Sequence, residues 1–301
     1  MITSNQIFDY LQCPHRLQLD ATSAESQRDP TSAFTEMLWQ QGFEHTGSTL
    51  DSLGITADMR TVPAEQREAA TLDAMIRREA LIYHGRVSAD GLLSDPDLLE
   101  LQPDGTYAPG DIKFGSGFEG EDDDSDGRLK LSYAAPLAHH CHVLERCGFG
   151  AGRHLAFVID NEGKRVPYDL DASRGVRNTQ TWFEFYLDTL QLAQAVLLGR
   201  TSSRPALSAT CKLCHWASTC KKAVFAANDL SLIPELGRSK RDTLLRLIPD
   251  VKTLATANLT NFMAGKKTVI WSYCPLIIEA KNTASDLRGG IFLPEELIGM
   301  E

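Results

Sequence analysis

Long apolar runs are missing from this 301-residue chain, and so is a basic segment followed by an apolar core at its start. The first absence argues against a membrane partner, because the most apolar late stretch, residues 269–280, is too short and too polar to cross a bilayer. The second argues against a secretory signal. Its 43% hydrophobic content is ordinary for a soluble globular protein, and we expect a cytoplasmic location.

Cysteines are few and odd in number. The chain has seven cysteines and no export signal, which favours reduced thiols and metal ligation over a disulfide framework. Cys211, Cys214 and Cys220 follow the spacing C-x2-C-x5-C, which supplies three thiolates and requires a fourth ligand. His215 or Cys13 could be that ligand. Four cysteines would suit either a tetrahedral Zn²⁺ or a 4Fe–4S cluster.

Charge is unevenly distributed along the chain. The net charge of -10 argues against a generic nucleic-acid-binding surface, and six acids fall within residues 119–126. Residues 199–246, in contrast, hold nine Lys and Arg against three acids, a net of +6. Such a local basic zone can follow phosphates even on an acidic protein. The alternative is that these side chains only solvate helices.

Apolar periodicity and turn residues divide the chain into helices and strands. Helices are predicted over residues 3–20, 32–53, 63–80, 132–146 and 176–198, with two shorter ones within 228–263. Pro14 should interrupt the first, because proline cannot continue a helix. Predicted strands are 81–87, a hairpin over 98–114 and a second hairpin over 155–170. Residues 115–128 lack apolar periodicity and are predicted to form a mobile loop.

Two acids and a lysine flank the first predicted hairpin. In the stretch SDPDLLELQPDGTYAPGDIKFG, Asp104-Gly105 marks a turn between two extended runs. Paired strands lie about 5 Å apart, so Asp97 and Asp111 can sit side by side. Two close carboxylates without a cationic partner suit a hard cation such as Mg²⁺. Lys113 shares the strand face of Asp111 and can orient or deprotonate a water and offset charge on a phosphate.

Other interpretations of this stretch are open. Asp-x-Lys is common on strands, and an exposed Asp97 would then be only an acid at the end of a hairpin. Asp90 in SADGLL is a second candidate for the first carboxylate. We prefer Asp97 because it enters the hairpin directly, whereas Asp90 precedes a turn that contains glycine.

Four elements in chain order resemble a known family. They are CPHR at 13–16, G-x-x-H from Gly42 to His45, PD followed by DIK, and CKLCHW followed by a further cysteine. Together they resemble the RecB-like nucleases of the PD-(D/E)XK superfamily, in particular the iron–sulfur type that includes the CRISPR-associated exonucleases. The resemblance covers most of residues 1–262 and implies an α/β, restriction-endonuclease-like mixed sheet flanked by helices. We assign this domain to residues 1–227 and a helical, helix-hairpin-helix-like region to 228–301.

The resemblance also implies roles for single residues. His45, Asp97 and Asp111 would hold a Mg²⁺ or Mn²⁺ ion, and Lys113 would position the attacking water. Four cysteines would hold a 4Fe–4S cluster, with zinc as the alternative; they are Cys13, Cys211, Cys214 and Cys220. The implied reaction is metal-dependent hydrolysis of DNA phosphodiesters, exonucleolytic on single strands.

One departure from the family affects the expected activity. Its next helix carries Q-x-x-x-Y, and the aligned positions here are Pro136 and His140. His140 can still donate to a phosphate, but Pro136 has no side-chain donor. Three hypotheses follow. In the first, the chain is an active nuclease. In the second, it is a cluster-bearing DNA-binding protein of a repair or defence complex, with weakened catalysis. In the third, it is a protein with a structural zinc site that acts through contacts with other proteins.

Overall fold

The chain divides into two compact units. A computed structural model describes residues 1–122, 125–175, 178–234, 236–246 and 248–256. The first unit comprises Met1–Thr22 and Thr31–Ser202, and the second comprises Ser23–Pro30 and the chain from Ser203 onward. The boundary therefore precedes the predicted one after residue 227. The reason is that Leu207 and Val224 pack with apolar residues of the helices that follow.

Helices supply much of the described chain, and most lie where the apolar periodicity predicts them. The α-helices are α1 Ser4–Gln12, α2 Pro14–Thr22, α3 Ala33–Ser52, α4 Arg67–Ile76, α5 Leu131–Arg146, α6 Trp182–Leu197, α7 Ala217–Ala226, α8 Gly237–Leu244 and α9 Val251–Thr256. Short 3-10 helices span Glu25–Gln27, Met59–Thr61, Ala209–Leu213 and Leu230–Leu232. In the described part of the chain, no helix combines the length and the hydropathy needed to cross a membrane.

Local sequence signals set the ends of the first helices. Thr3 and Gln6 form a capping box at the start of α1: the Thr3 hydroxyl accepts from the Gln6 N–H at 3.2 Å, and the Gln6 side chain accepts from the Thr3 N–H at 3.1 Å. Pro14 separates α1 from α2, as predicted, because it has no N–H to continue the helical ladder. Ser32 caps α3 with its hydroxyl, which accepts from the Thr35 N–H at 3.1 Å.

The strands form mixed and antiparallel sheets. They are β1 Ile2–Thr3, β2 Ala57–Asp58, β3 Leu81–Tyr83, β4 Val87–Ala89, β5 Leu92–Ser94, β6 Leu98–Leu101, β7 Tyr107–Ile112, β8 Phe118–Asp122, β9 Ser125–Leu129, β10 Leu155–Ile159, β11 Arg165–Asp169, β12 Ser173–Gly175 and β13 Asn178–Thr181. The largest sheet has the order β11-β10-β7-β6-β3-β2, and a three-stranded sheet has the order β1-β5-β4. The first unit is therefore a mixed α/β fold.

The β6–β7 hairpin is confirmed at the centre of the large sheet. Its antiparallel register pairs Leu98 with Gly110 and Leu101 with Tyr107. β7 also pairs with β10 in parallel, and α5, which lies between them in the chain, packs against both strands. Such a connection is what parallel neighbours require. The second predicted hairpin is confirmed as β10–β11.

Two predicted segments differ from the observed ones. The strand predicted over 81–87 is two strands in different sheets, because the chain turns between them: His84 has a φ of 56°, and a Cβ on Gly85 would lie 2.8 Å from Leu99 Cδ1. The helix predicted over 176–198 begins only at Trp182, where Thr181 caps it.

The prediction of a mobile loop over 115–128 is wrong. Phe118–Asp122 and Ser125–Leu129 form an antiparallel hairpin in which Phe118 pairs with Leu129. Both side chains are partly buried against the core of the first unit. This pair of apolar residues anchors the hairpin, and the surrounding acids concealed it in the sequence.

The second unit has an apolar core of its own. Buried residues of α7 and of the segments that follow it form this core, and they include Val224, Leu230, Leu236 and Leu244. Arg241, one of the nine cations of the basic zone, is only 1% exposed and lies 3.7 Å from Asp229. It therefore serves the packing of this unit and not its surface.

Candidate functional site

The end of the β6–β7 hairpin brings the two predicted acids together. Asp97 precedes β6 by one residue, and Asp111 follows Gly110, the partner of Leu98. The Asp97 N–H donates to Asp111 Oδ1 at 3.5 Å, and Asp97 Oδ2 accepts from the Ile112 N–H at 2.8 Å. The carboxylates are thus neighbours held by main-chain hydrogen bonds, as the hairpin geometry predicts.

Lys113 contacts this pair directly. Its Nζ lies 2.8 Å from Asp111 Oδ2, and its side chain is 32% exposed while that of Asp111 is 6% exposed. The prediction of two carboxylates without a cationic partner is therefore wrong. The period of two along a strand places Lys113 on the face of Asp111, where the two opposite charges attract each other.

The acids differ in their affinity for a proton. Burial, and then the charge of Asp111, raises the pKa of Asp97 to about 6. Burial would also raise the pKa of Asp111, but the charges of Lys113 and His140 bring it below its ordinary value. Burial would lower the pKa of Lys113, but the two carboxylates raise it above its ordinary value. Asp97 therefore carries the less compensated negative charge.

His140 lies on the other side of Asp111. Its Nε2 is 3.9 Å from Asp111 Oδ1, and its Nδ1 is 2.7 Å from the hydroxyl of Ser94. Burial lowers the pKa of His140, and Asp111 partly opposes that shift. The structure thus brings His140 beside the hairpin end, the place that the resemblance implies for it. Ser94 was not predicted, since a buried serine at a strand end has no sequence signal.

Tyr133 is a further neighbour that sequence reasoning missed. The Lys113 Nζ lies 6.0 Å from the centre of its ring, and its hydroxyl is 2.8 Å from where a Cβ on Gly115 would lie. Tyr133 precedes His140 by seven residues, two turns along α5, so helical periodicity could have placed both on one face. Burial raises the pKa of Tyr133, so it remains a phenol near the lysine.

His45, the predicted third metal ligand, lines a cavity of about 260 Å³ between α3 and the β10–β11 turn. Its ring centre is 5.9 Å from that of Phe114, the residue after Lys113. Its Nε2 is buried and, among the described residues, has no hydrogen-bond partner. Ile159 forms part of the same cavity and accepts from the Lys113 N–H at 2.8 Å. The cavity therefore borders β10, the parallel neighbour of the strand that carries Asp111.

Asp90 and Pro136 lie in other settings. Asp90 occupies the β4–β5 turn with a φ of 51° and forms an ion pair with Arg146 at 2.7 Å. It is Asp97, and not Asp90, that neighbours Asp111. Pro136 is buried within α5 and contributes no donor.

The predicted cysteine ligands fall in both units. Cys13 follows α1 in the first unit. In the second unit, Cys211 lies in the 3-10 helix Ala209–Leu213, Cys214 directly follows that helix, and Cys220 lies in α7. Throughout the part of the chain that the structure describes, no group of three or more His, Cys, Asp and Glu side chains is arranged to hold a metal ion. The cluster and the predicted His45, Asp97 and Asp111 metal set stay predictions.

Comparisons with known proteins leave the family open. No protein-family model and no curated protein matches the chain. Among solved structures, the crystal structure of SSO0001 matches with a TM-score of 0.35 and 12% sequence identity, covering 74% of this chain and 86% of that one. A TM-score of this size supports no conclusion about this chain, so its function is inferred from the geometry of the site.

Proposed function

We propose that this chain is a metal-dependent deoxyribonuclease that hydrolyses phosphodiester bonds of single-stranded DNA as an exonuclease. The observation that carries the proposal is the convergence of Asp97, Asp111 and Lys113 at the end of one hairpin. Carboxylates to hold a divalent cation and a cation to stabilise charge on a phosphate are the groups that this reaction needs.

The proposed fold is restriction-endonuclease-like, as the resemblance to RecB-like nucleases implies. Support comes from the mixed sheet, in which the acids lie where the β6–β7 hairpin ends and β7 pairs in parallel with β10. The helix α5 packs against both of these strands and carries His140 to the site.

The residues of the site fit a Mg²⁺ or Mn²⁺ ion. Mg²⁺ takes one or two carboxylates from a protein and completes its shell with water, so Asp97 and Asp111 suffice. The raised pKa of Asp97 reflects negative charge that a cation would compensate. His45 has a buried Nε2 without a partner among the described residues and is the proposed additional ligand. When bound, the ion would polarise a phosphate oxygen and acidify a water.

Lys113 is proposed to act as a fixed positive charge. Its raised pKa keeps the side chain protonated, so it would orient the attacking water and stabilise charge on the phosphate without removing a proton. Of the two roles that the sequence allows for Lys113, the geometry therefore favours the electrostatic one. The ion pair with Asp111 fixes the ammonium at the hairpin end.

Cleavage of end-labelled single-stranded DNA in Mg²⁺ or Mn²⁺ tests the proposal. Asp111→Ala and Lys113→Ala should each lower the rate by about a hundredfold or more, since each removes charge stabilisation at the reacting phosphate. Asp51→Ala and Lys164→Ala are matched controls, because both positions are exposed and outside the site. Equal rates for wild type and both site variants would exclude the assignment.

A second function, DNA binding with weakened catalysis in a repair or defence complex, is favoured by Pro136. This residue occupies a position where the family has a glutamine, and within α5 it offers no donor to the substrate. Tight binding of single-stranded DNA with no cleavage in either metal would support this second function over the first.

The iron–sulfur cluster is proposed from the resemblance alone. Anaerobically purified protein should then show a broad absorption band in the violet, together with iron and sulfide by chemical analysis. Cys211→Ser should remove the band, while Cys141→Ser, which alters a buried thiol of the first unit, should keep it. Colourless protein that contains zinc would identify the alternative metal.

A further inference from the structure

Two consecutive residues of α5 bind two consecutive residues of β5. His139 Nε2 lies 2.9 Å from the carbonyl oxygen of Leu93, and His140 Nδ1 lies 2.7 Å from the hydroxyl of Ser94. Both histidines and Ser94 are buried, with at most 2% of each residue exposed. Hydrogen bonds in such a dry environment are costly to leave unmade, so these contacts fix the rotation of both rings.

The tautomer of His139 follows from its partners. A carbonyl oxygen can only accept, so the proton of His139 must be on Nε2, facing Leu93. Its Nδ1 then accepts from the Tyr186 hydroxyl at 3.1 Å, and the same hydroxyl accepts from His142 Nδ1 at 3.0 Å. Burial lowers the pKa of His139 to about 3, so the ring is neutral. This network anchors α5 against the strand that ends in Ser94.

The tautomer of His140 follows from the same reasoning. If the Ser94 oxygen accepted a proton from Nδ1, its own hydroxyl hydrogen would be buried without an acceptor among the described residues. If the hydroxyl instead donates to Nδ1, the hydroxyl hydrogen is paired and the ring proton is on Nε2, which faces Asp111 Oδ1 at 3.9 Å. The second arrangement is the more stable because it pairs the buried hydroxyl and turns an N–H, and not a nitrogen lone pair, toward the negative charge of Asp111.

We infer that Ser94 is a positioning residue: its hydroxyl donates to Nδ1 of His140, which fixes the ring proton on Nε2 and directs this N–H toward a ligand oxygen beside Asp111. The distance from Nε2 to Asp111 Oδ1 is 3.9 Å, too long for a direct hydrogen bond. The N–H is therefore available to an acceptor that binds beside Asp111. With the proposed function as its premise, this acceptor is an oxygen of the scissile phosphate.

This inference also separates His140 from the metal ligands. A ring nitrogen that carries a proton has no lone pair for a cation, so His140 would act on the substrate and not on the ion. The donor that the Q-x-x-x-Y motif would supply is then replaced in part by a histidine whose orientation depends on Ser94. Pro136, on the same helix face, plays no part in this arrangement.

Nitrogen-15 NMR of the histidine side chains tests the tautomer without any DNA. The His140 signals, assigned by their loss in His140→Gln, should show a protonated Nε2 and an unprotonated Nδ1 in the wild type. Ser94→Ala should convert them to a mixture of tautomers, and Ser94→Thr, which keeps the hydroxyl, should restore the wild-type pattern. A wild-type His140 protonated on Nδ1 would overturn the inference, even if Ser94→Ala failed to fold.

Cleavage kinetics give the second readout. Ser94→Ala should lower kcat by about tenfold with little change in KM, because one hydrogen bond that orients a donor is lost. Ser88→Ala, on the neighbouring strand β4, is the matched control: it removes a 2.6 Å hydrogen bond to Glu68 of α4 and should leave both the tautomer and kcat unchanged. A chain without nuclease activity would end the proposed function, whereas the tautomer result would still decide the role of Ser94.

Discussion

At the scale of single residues, the site contains two carboxylates in opposite electrostatic states. Asp111 has Lys113 at 2.8 Å and a lowered pKa, whereas the Asp97 carboxylate accepts from the Ile112 N–H and has the charge of Asp111 beside it. One acid therefore stabilises the folded chain by its charge, and the other destabilises it. An ion bound between them would remove that cost, which links metal binding to stability.

Asp97→Asn should stabilise the protein at pH 7.5 in the presence of a chelator, by about 2 kcal/mol. The folded-state pKa of about 6 lies above the ordinary value of 3.8, so the folded state binds this proton more tightly than the unfolded state. The Asp97 carboxylate therefore lowers the free energy of unfolding by its full amount above pH 6, and this destabilisation disappears as the pH falls toward 4. Urea unfolding at pH 7.5 and at pH 4 measures the difference.

Asp111→Asn provides the matched control with the opposite sign. Its carboxylate has a lowered pKa, so it contributes stability at neutral pH that is lost on acidification, and the asparagine should destabilise the chain. Excess Mg²⁺ should stabilise the wild type but not Asp97→Asn. If Asp97→Asn is less stable than wild type at pH 7.5 in the presence of a chelator, the Asp97 carboxylate does not destabilise the folded chain, and the prediction is contradicted.

At the scale of elements, the position of Asp111 depends on how closely β7 and β10 pack. Gly110 pairs with Phe157 across these strands, and a Cβ on Gly110 would lie 2.3 Å from the ring of Phe157. The guanidinium of Arg165 stacks on the face of that ring, 3.7 Å from its centre, and donates to Glu100 at 2.7 Å. Because the ring is buried and stacked against Arg165, it cannot move away from an added Cβ, so glycine is the residue that fits next to Asp111.

Gly110→Ala should lower the free energy of unfolding by about 3 kcal/mol, the upper end of the usual cost of overpacking. Cleavage should fall as well, since β7 must shift and Asp111 moves with it. Urea unfolding and cleavage rates of the same preparation measure both effects.

A double variant distinguishes this steric explanation from a loss of backbone freedom. Phe157→Leu makes room at the ring position, so Gly110→Ala/Phe157→Leu should be more stable than the sum of the two single changes indicates. Gly152→Ala, on the surface with nothing within 4 Å of the added Cβ, should change stability by less than about 0.5 kcal/mol. Additive effects of the first pair would contradict the predicted clash.

At the scale of the whole molecule, the charge of -10 conceals a segment of opposite sign. The excess of Lys and Arg in residues 199–246 falls almost entirely within the second unit, and Lys221 and Lys222 are exposed on α7. The buried Arg241 does not contribute to this surface. If the second unit follows the phosphates of a single strand, these exposed lysines should carry part of the affinity.

Lys221→Glu and Lys222→Glu should each weaken binding of single-stranded DNA by about tenfold at low salt and reduce its salt dependence. Lys252→Glu, a matched reversal at an exposed position outside the basic zone, should have a smaller effect. Fluorescence anisotropy across a salt series makes the measurement. Equal losses for all three variants would mean that net charge, and not the zone, governs binding.

The sequence by itself determined the elements whose causes are local. The break at Pro14 and the Asp104-Gly105 turn are found where predicted, and like the caps at Thr3 and Ser32 they depend on neighbours a few residues away. The hairpin also determined that Asp97 and Asp111 are neighbours and that Lys113 shares a face with Asp111. Short-range hydrogen bonds and the alternation of strand faces are sufficient for these conclusions.

Only the tertiary structure decided which distant groups meet. Ser94 and His140 are 46 residues apart, and their contact depends on how α5 packs against β5. The anchoring of the β8–β9 hairpin by Phe118 and the placement of α7 in the second unit likewise depend on apolar contacts between remote segments. Periodicity shows which face of an element is apolar, but the partner that covers it is chosen by the free energy of packing the whole chain.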